Sequence, residues 1–315
     1  MNIIRARILG YCMGVRRAAD IAWRSLGTTG NDGNDNTVRE PRARVFTMGP
    51  LIHNPQVLED LARRGVEILD EARLPPDFAG GTVIIRAHGI TPALEETLRA
   101  RGARIADATC PRVKASQMKA RALSEAGYTV FLAGEKRHGE IIGIAGYAPR
   151  CIVVGGAAEA EAAAHALKAA AAPAAAHHAE IKTALLAQTT LSPEEFSAIG
   201  AAIKKYFPET EVVHTICGAT RERQDALREL CAQVDAVLVV GGRGSANTRR
   251  LLALAESAGR RAWLVEGPGE IPGEIAACGA VGLSAGASTP EDVIDAVEAA
   301  LRAFAPGFVK KAPVR

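Results

Sequence analysis

Short apolar runs alternate with longer amphipathic stretches along the whole chain. Runs of four or five apolar residues that end in Gly, Ser, Thr, Asn or His are typical of buried strands, whereas apolar positions three and four residues apart indicate helices. Strands are predicted at 3–9, 45–48, 66–69, 82–86, 104–106, 129–133, 151–154, 183–187, 212–213, 236–240, 262–265 and 280–283. Helices are predicted at 15–26, 56–64, 92–101, 113–126, 218–233, 248–258 and 291–304, with one more opening at Pro193 after the capping box of Ser192 and Glu195.

The strict alternation of strand and helix predicts an α/β fold of parallel sheets with crossover helices. The rhythm repeats in three blocks, so we expect three related α/β domains at 14–109, 110–213 and 214–303. Residues 1–13 add an N-terminal strand that packs with the third domain, and 304–315 form a tail. Because open parallel sheets bind ligands at the carboxyl ends of their strands, we expect these ends to converge on one centre.

Two stretches break the rhythm. Residues 27–43 are rich in Gly, Asn, Asp and Thr, which predicts a surface loop or a short insert. Residues 157–178 are alanine-rich and favour a solvated helix with a low-complexity insert. His165, His177 and His178 lie in that second stretch and carry little weight as metal ligands, since no second ligand pair is near.

Composition narrows the class of protein. The net charge is only +3 in 315 residues and no long basic block occurs, so nucleic acid is not an expected partner. The longest apolar runs have strand length, which predicts no membrane span. The chain starts with a strand and no signal peptide, so we expect a cytoplasmic protein whose six cysteines are reduced thiols or metal ligands.

Three of the cysteines occupy turns that follow predicted strands. Cys12, Cys110 and Cys217 each lie beside Gly or Pro and before a predicted helix, whose N-terminus favours a thiolate. The other cysteines, Cys151, Cys231 and Cys278, lie within strand or helix patterns and are expected to be small apolar residues. Three converging thiolates could bind zinc or an iron–sulfur cluster. The close cysteine pairs of a structural zinc site are absent, whereas three ligands on a four-iron cluster leave one iron open for substrate.

Polar side chains at other strand ends suit a phosphate or diphosphate. Three histidines end predicted strands, and hydroxyl and amide side chains occupy similar places. The set is His53, His88, His138, Thr189, Thr190, Ser245, Asn247 and Ser288. Neutral or cationic donors in front of helix N-termini are typical of an anion site. Glu140 is the carboxylate immediately beside one of these histidine-bearing turns, so it is the natural proton donor.

The motifs in which these residues lie resemble those of the 4-hydroxy-3-methylbut-2-enyl diphosphate reductase family, in order and over nearly the whole chain. The matching motifs are Gly10 to Ala18, Ile52-His53-Asn54, Ala87-His88-Gly89, Asp107 to Pro111, Gln188 to Ser192, Ile216 to Gln224, Ser245-Ala246-Asn247 and Ala285 to Ser288.

The resemblance implies a trefoil of three α/β domains with pseudo-threefold symmetry around one 4Fe-4S cluster per chain. It makes Cys12, Cys110 and Cys217 the cluster ligands and Glu140 the proton relay. Thr189 or Thr190 becomes the partner of the substrate hydroxyl, and the diphosphate ligands are His53, His88, His138, Ser245, Asn247 and Ser288. The implied reaction removes the allylic hydroxyl as water with two electrons and two protons, giving isopentenyl and dimethylallyl diphosphate. Ferredoxin or flavodoxin is the implied electron donor.

The chain also departs from the family pattern, at Gly139, His214, Gly218, Glu222 and Ala246. Gly139 replaces a proline in the turn before Glu140, but every carried-over site residue is present. Two alternatives stay open from the residues themselves. One is another dehydratase with a three-cysteine 4Fe-4S cluster, similar to quinolinate synthase, and the other is a non-catalytic paralogue that binds diphosphates or senses iron–sulfur status.

Overall fold

A computed structural model describes residues 1–27, 44–171 and 181–303, and these residues contain three four-stranded parallel sheets. The predicted α/β class is thereby confirmed. Residues 28–43 of the loop expected at 27–43, the histidines His177 and His178, and the tail at 304–315 lie outside the described residues.

The first sheet contains β1 (Asn2–Arg5), β10 (Ala236–Val240), β11 (Arg261–Val265) and β12 (Ala280–Ala285), in the order β1-β12-β10-β11. The central strand β10 is buried at every position. A strand that is covered on both faces needs no alternation of polar and apolar residues, which explains its continuous apolar run.

The second sheet has the order β3-β2-β4-β5, from β2 (Val45–Met48), β3 (Val66–Leu69), β4 (Thr82–Ile85) and β5 (Arg104–Asp107). The third has the order β7-β6-β8-β9, from β6 (Thr129–Ala133), β7 (Cys151–Val154), β8 (Thr183–Ala187) and β9 (Glu211–Val212). The two central strands, β2 and β4 in one sheet and β6 and β8 in the other, are not consecutive in the chain, and every pairing is parallel. All strand ends of one sheet therefore face the same edge.

The helices of the described residues follow the strands as crossovers. They are α1 (Met13–Gly27), α2 (Pro55–Arg63), α3 (Pro92–Ala100), α4 (Pro111–Glu125), α5 (Gly139–Ala145), α6 (Ala157–Ala171), α7 (Pro193–Lys204), α8 (Gly218–Cys231), α9 (Ala246–Ser257) and α10 (Glu291–Ala303). Ser192 caps α7 through the predicted capping box with Glu195. Short 3-10 turns at Glu71–Arg73, Pro268–Glu270 and Gly273–Ala277 complete the elements.

Strand β1 and helix α5 differ most from the sequence prediction. Strand β1 ends at Arg5, before the predicted end at Leu9, and the chain turns at Gly10, whose φ of 74° is in the left-handed region that favours glycine. Helix α5 was not predicted, because a seven-residue segment with two glycines, Gly139 and Gly143, carries little helical pattern.

By its contacts the chain divides into two compact units. One unit holds the first sheet and comprises Met1–Val15, His53–Glu59 and the chain from Gly218 onwards. The other holds the second and third sheets and comprises Arg16–Ile52 and Asp60–Cys217. The predicted division into three domains stays a prediction.

Candidate functional site

The three turn-borne cysteines share one position relative to a helix. Cys12 directly precedes α1, Cys110 is the N-cap residue of α4, and Cys217 directly precedes α8. All three are partly exposed, whereas Cys231 and Cys278 are buried in the apolar core of the first sheet's unit. A partly exposed thiol at a helix N-terminus can ionise and bind a metal, which a buried core thiol cannot readily do.

Cys151 opens β7 and differs from these three. Burial raises the pKa of its thiol to about 12, so the thiol stays protonated at neutral pH. Burial also raises the pKa of the Cys231 thiol. Since thiolates are the ligands that metals take, neither residue is suited to a metal site.

A repeated backbone hydrogen bond fixes the loop of each turn-borne cysteine. The amide of Cys12 donates to Ala287 O at 3.1 Å, that of Cys110 to Ala87 O at 2.9 Å, and that of Cys217 to Thr189 O at 2.9 Å. Each acceptor stands two residues beyond the end of a strand: β12 ends at 285, β4 at 85 and β8 at 187. In each sheet, one cysteine loop is thus hydrogen-bonded two residues beyond the end of an inner strand.

Predicted substrate residues lie at these acceptor positions or directly after them. Ser288 follows Ala287, His88 follows Ala87, and Thr189 is itself an acceptor. The bond that fixes each cysteine loop therefore also places one predicted substrate residue next to that loop.

In the unit of the first sheet, His53 and Ser288 are joined. Ser288 Oγ donates to His53 O at 3.1 Å. A Cβ added at Gly244 would lie 3.5 Å from His53 Nδ1, so the glycine leaves room beside the ring. Asn54 holds the next position, because its Oδ1 accepts from Val57 N at 3.0 Å and starts α2. Asn54 lies in the Ile52-His53-Asn54 motif, but no role was predicted for it from the sequence.

Ser245 and Asn247 open α9 in that same unit. The Ser245 hydroxyl accepts from Thr248 N at 3.3 Å and caps the helix. Asn247 is buried, and its Nδ2 has no hydrogen-bond partner among the described residues. A buried amide N–H without a partner costs free energy that a bound anion could recover.

In the other unit, Glu140 is held by Thr189. Both carboxylate oxygens accept, from Thr189 N at 2.6 Å to Oε1 and from Thr189 Oγ1 at 2.8 Å to Oε2. Glu140 is buried, with only 2% of its surface exposed, and lies in the first turn of α5. Its orientation is therefore fixed by a residue that also accepts the amide of Cys217.

His138 is the N-cap residue of α5 and precedes this carboxylate. Its Nδ1 accepts from Glu140 N at 3.2 Å, which fixes the ring. The ring meets that of His88 edge to face, with centroids 5.0 Å apart. Thr190 accepts from Gln188 Nε2 at 3.1 Å, and Gln188 Oε1 in turn accepts from Glu135 N at 3.0 Å. His88, His138, Glu140 and Thr189 thus lie in the same unit.

Arg86 also belongs to this surrounding and was missed by sequence reasoning. A Cβ added at Gly139 would lie 2.5 Å from Arg86 Nη2, and one at Gly49 would lie 2.7 Å from Nη1. The guanidinium therefore fills the space that a side chain at either glycine would need. Burial lowers the pKa of Arg86, against a smaller opposite effect of Glu71. Its position directly before Ala87-His88 was the available signal.

The chain belongs to the LytB protein family, whose sequence profile matches residues 3–302. Curated relatives carry the name 4-hydroxy-3-methylbut-2-enyl diphosphate reductase. The protein of that name from Treponema denticola is 43% identical over 301 residues, which cover 95% of this chain and 98% of the relative. The one from Aquifex aeolicus is 36% identical over 309 residues, covering 98% of each. The family resemblance drawn from the motifs is thereby confirmed.

Solved structures agree with the fold. The reductase of Plasmodium falciparum superposes with a TM-score of 0.81 at 24% identity, over 98% of this chain and 89% of that one. A structure described as (E)-4-hydroxy-3-methyl-but-2-enyl diphosphate reductase, the terminal enzyme of the non-mevalonate pathway, gives a TM-score of 0.65 at 34% identity, over 96% of this chain and all of that one. Within the described ranges, no helix has the length and apolar character needed to cross a membrane.

Proposed function

We propose that this protein is a 4-hydroxy-3-methylbut-2-enyl diphosphate reductase of the non-mevalonate isoprenoid pathway. The observation that carries the proposal is the repeated tie between a cysteine loop and a strand end that bears a predicted substrate residue. Family membership and the names of the relatives support it. The reaction takes up two electrons and two protons, breaks the allylic C–O bond, and releases water together with isopentenyl or dimethylallyl diphosphate.

The donor set fits an iron–sulfur cluster. Cys12, Cys110 and Cys217 are soft ligands that are partly exposed and stand at helix N-termini, where the thiolate is favoured. We assign them as the ligands of one 4Fe-4S cluster per chain. When bound, this group would pass the two electrons of an external donor to the substrate, and three protein ligands would leave one iron without a protein ligand.

The neutral donors fit a diphosphate. We assign as its ligands His53, His88, His138, Ser245, Asn247 and Ser288. The partnerless Nδ2 of buried Asn247 is an observation in favour, because an anion would satisfy it. Donors that are already held in place by capping and backbone bonds bind an anion with little loss of side-chain entropy.

Glu140 is assigned as the proton relay. Hydroxide is a poor leaving group, so C–O cleavage needs an acid near the departing oxygen. Thr189 donates to both oxygens of the carboxylate and fixes its direction. A proton can pass between Glu140 Oε2 and Thr189 Oγ1 at 2.8 Å, which allows Thr189 to serve as the hydroxyl partner of the substrate. Thr190, held by Gln188, is the second candidate for that contact.

Ferredoxin or flavodoxin is the proposed electron donor and the cytoplasm the proposed location.

A steady-state assay tests the proposal. The full chain is reconstituted without oxygen with iron and sulfide, then mixed with the hydroxymethylbutenyl diphosphate and a reduced viologen dye. We expect dye oxidation that depends on substrate, with isopentenyl and dimethylallyl diphosphate as products. A reconstituted protein with full iron content that oxidises no dye with this substrate would reject the assignment.

A further inference from the structure

Arg17 on α1 holds the loop of Cys110. Its Nη1 donates to Thr109 O at 3.1 Å and its Nη2 to Asp107 O at 3.2 Å. These carbonyls belong to two of the three residues that precede Cys110. A further hydrogen bond shapes the loop, because Asp107 Oδ1 accepts from Thr109 N at 2.9 Å. A guanidinium that donates to two carbonyls at once restricts the loop more than a single donor does.

Arg223 on α8 donates one hydrogen bond to the loop of Cys12 and a second one to its own helix. Its Nη2 donates to Gly10 O at 2.6 Å and its Nη1 to Ala219 O at 2.9 Å in its own helix. Arg223 is only 3% exposed. A buried cation that donates to a carbonyl is costly to disturb, because truncation removes the guanidinium donor from Gly10 O. Gly10 itself takes a left-handed φ of 74°, so the turn depends on both residues.

Each of these arginines lies on a helix that follows one cysteine and bonds the loop of a different cysteine. Helix α1 starts directly after Cys12, yet its Arg17 holds the loop of Cys110. Helix α8 starts directly after Cys217, yet its Arg223 holds the loop of Cys12. Helix α4, which follows Cys110, is joined to β9 through the Lys119–Glu211 ion pair at 3.0 Å, a half-exposed contact of a weaker kind.

We propose that Arg17 and Arg223 are positioning residues that preset Cys110 and Cys12, respectively, so that the helix after one cysteine fixes the loop of another. Their purpose in the cluster site rests on the proposed function, whereas the presetting itself can be tested without a cluster. Both arginines act on the backbone carbonyls of the loops, and neither is assigned as a catalytic residue.

The test measures alkylation of each cysteine in the full-length apo protein by iodoacetamide, with peptide mass spectrometry to separate the sites. Arg223→Gln should raise the rate at Cys12 about tenfold and leave Cys217 within about twofold. Arg17→Gln should raise the rate at Cys110 by a similar factor and leave Cys12 unchanged. Arg228→Gln on α8 and Arg24→Gln on α1 are matched controls on the same helices, because Arg228 donates to Asp225 Oδ1 and Arg24 donates to Asp20 O, each within its own helix.

Several results would overturn the proposal: a faster reaction at the cysteine that precedes the mutated helix, equal acceleration at all three sites, or no change. If a glutamine variant does not fold, Arg17→Lys or Arg223→Lys keeps the charge but reaches fewer carbonyls, and the smaller rise should occur at the same crossed cysteine. In the reconstituted protein, both glutamine variants should lose iron faster in air than their controls. Failure of wild type to bind iron would reject the proposed function, while the alkylation pattern would still decide this inference.

Discussion

At the scale of single residues, the contact between Glu140 and Thr189 orients the carboxylate that we propose as the proton relay. The carboxylate accepts from the backbone and the hydroxyl of one threonine, so both of its oxygens are fixed. Sequence reasoning found Glu140 because it follows His138, and it found Thr189 through a motif. That the two residues meet could not be predicted, since the pairing depends on how α5 packs against the end of β8.

Glu140→Gln should lower turnover by about 10²–10⁴-fold, the usual share of general acid catalysis. The amide keeps the size of the side chain but cannot transfer a proton. Its Oε1 can still accept from Thr189 N, and its Nε2 can donate to Thr189 Oγ1, so the orientation of the side chain is kept while the transferable proton is lost. Thr189→Val keeps the backbone donor and should lose less, whereas Thr189→Ser should stay near wild type. Turnover of the glutamine variant at the wild-type rate would mean that another group carries the proton.

Cysteine variants separate ligands from core residues. Cys12→Ser, Cys110→Ser and Cys217→Ser should each lose most of the bound iron after reconstitution, because each removes one thiolate ligand. Cys151→Ser, Cys231→Ser and Cys278→Ser should keep it, since these thiols lie in the core or stay protonated. Iron analysis and the visible absorption of the cluster provide the measurement. Full iron content in any variant of the first group would contradict the ligand assignment.

Asn247→Ala and His53→Ala should weaken substrate binding about tenfold to a hundredfold and leave the iron content unchanged. Each removes one donor to a charged group, which is worth about 1.5–3 kcal/mol. Calorimetry or substrate-induced spectral change under anaerobic conditions gives the dissociation constant. Asn2→Ala, at an exposed position of β1, is the control. Unchanged affinity in both variants would remove these residues from the diphosphate site.

At the scale of elements, the apolar pattern predicted strands better than irregular segments. The runs at 45–48, 66–69, 129–133, 151–154, 183–187 and 236–240 match β2, β3, β6, β7, β8 and β10 at both ends. Continuous apolar runs bounded by glycine or polar residues leave little freedom where a strand is buried on both faces. Helix α5 was missed because capping by His138 and packing, rather than propensity, stabilise it.

Ser192→Ala should lower the free energy of unfolding by about 0.5–2 kcal/mol. The change removes the side-chain half of the capping box, which joins Ser192 Oγ to Glu195 N at 3.1 Å. Ser192→Asp, which can still cap α7, should lose much less. Denaturant unfolding followed by circular dichroism gives the comparison, and equal stability of the alanine variant and wild type would show that the cap contributes nothing.

At the scale of the whole molecule, each of the three parallel sheets accepts a backbone hydrogen bond from one cysteine loop at the same position beyond a strand. The sequence showed the strand rhythm and placed every predicted site residue at or near a strand end. It could not show which strand end receives which cysteine, because Cys12 is tied to Ala287 and Arg223 to Gly10 from distant parts of the chain. Such long-range pairings are set by sheet order, and local pattern carries no information about them.

The most direct test of the central claim is a single turnover without oxygen. Wild-type protein is reconstituted and mixed with less than one equivalent of the hydroxymethylbutenyl diphosphate in the presence of excess chemical reductant, which supplies the two electrons of the reaction. The products are quantified by mass spectrometry. The account predicts that the substrate loses its hydroxyl as water and becomes isopentenyl and dimethylallyl diphosphate, while Cys217→Ser gives none. Recovery of intact substrate from a reduced wild-type protein with full iron content would contradict it.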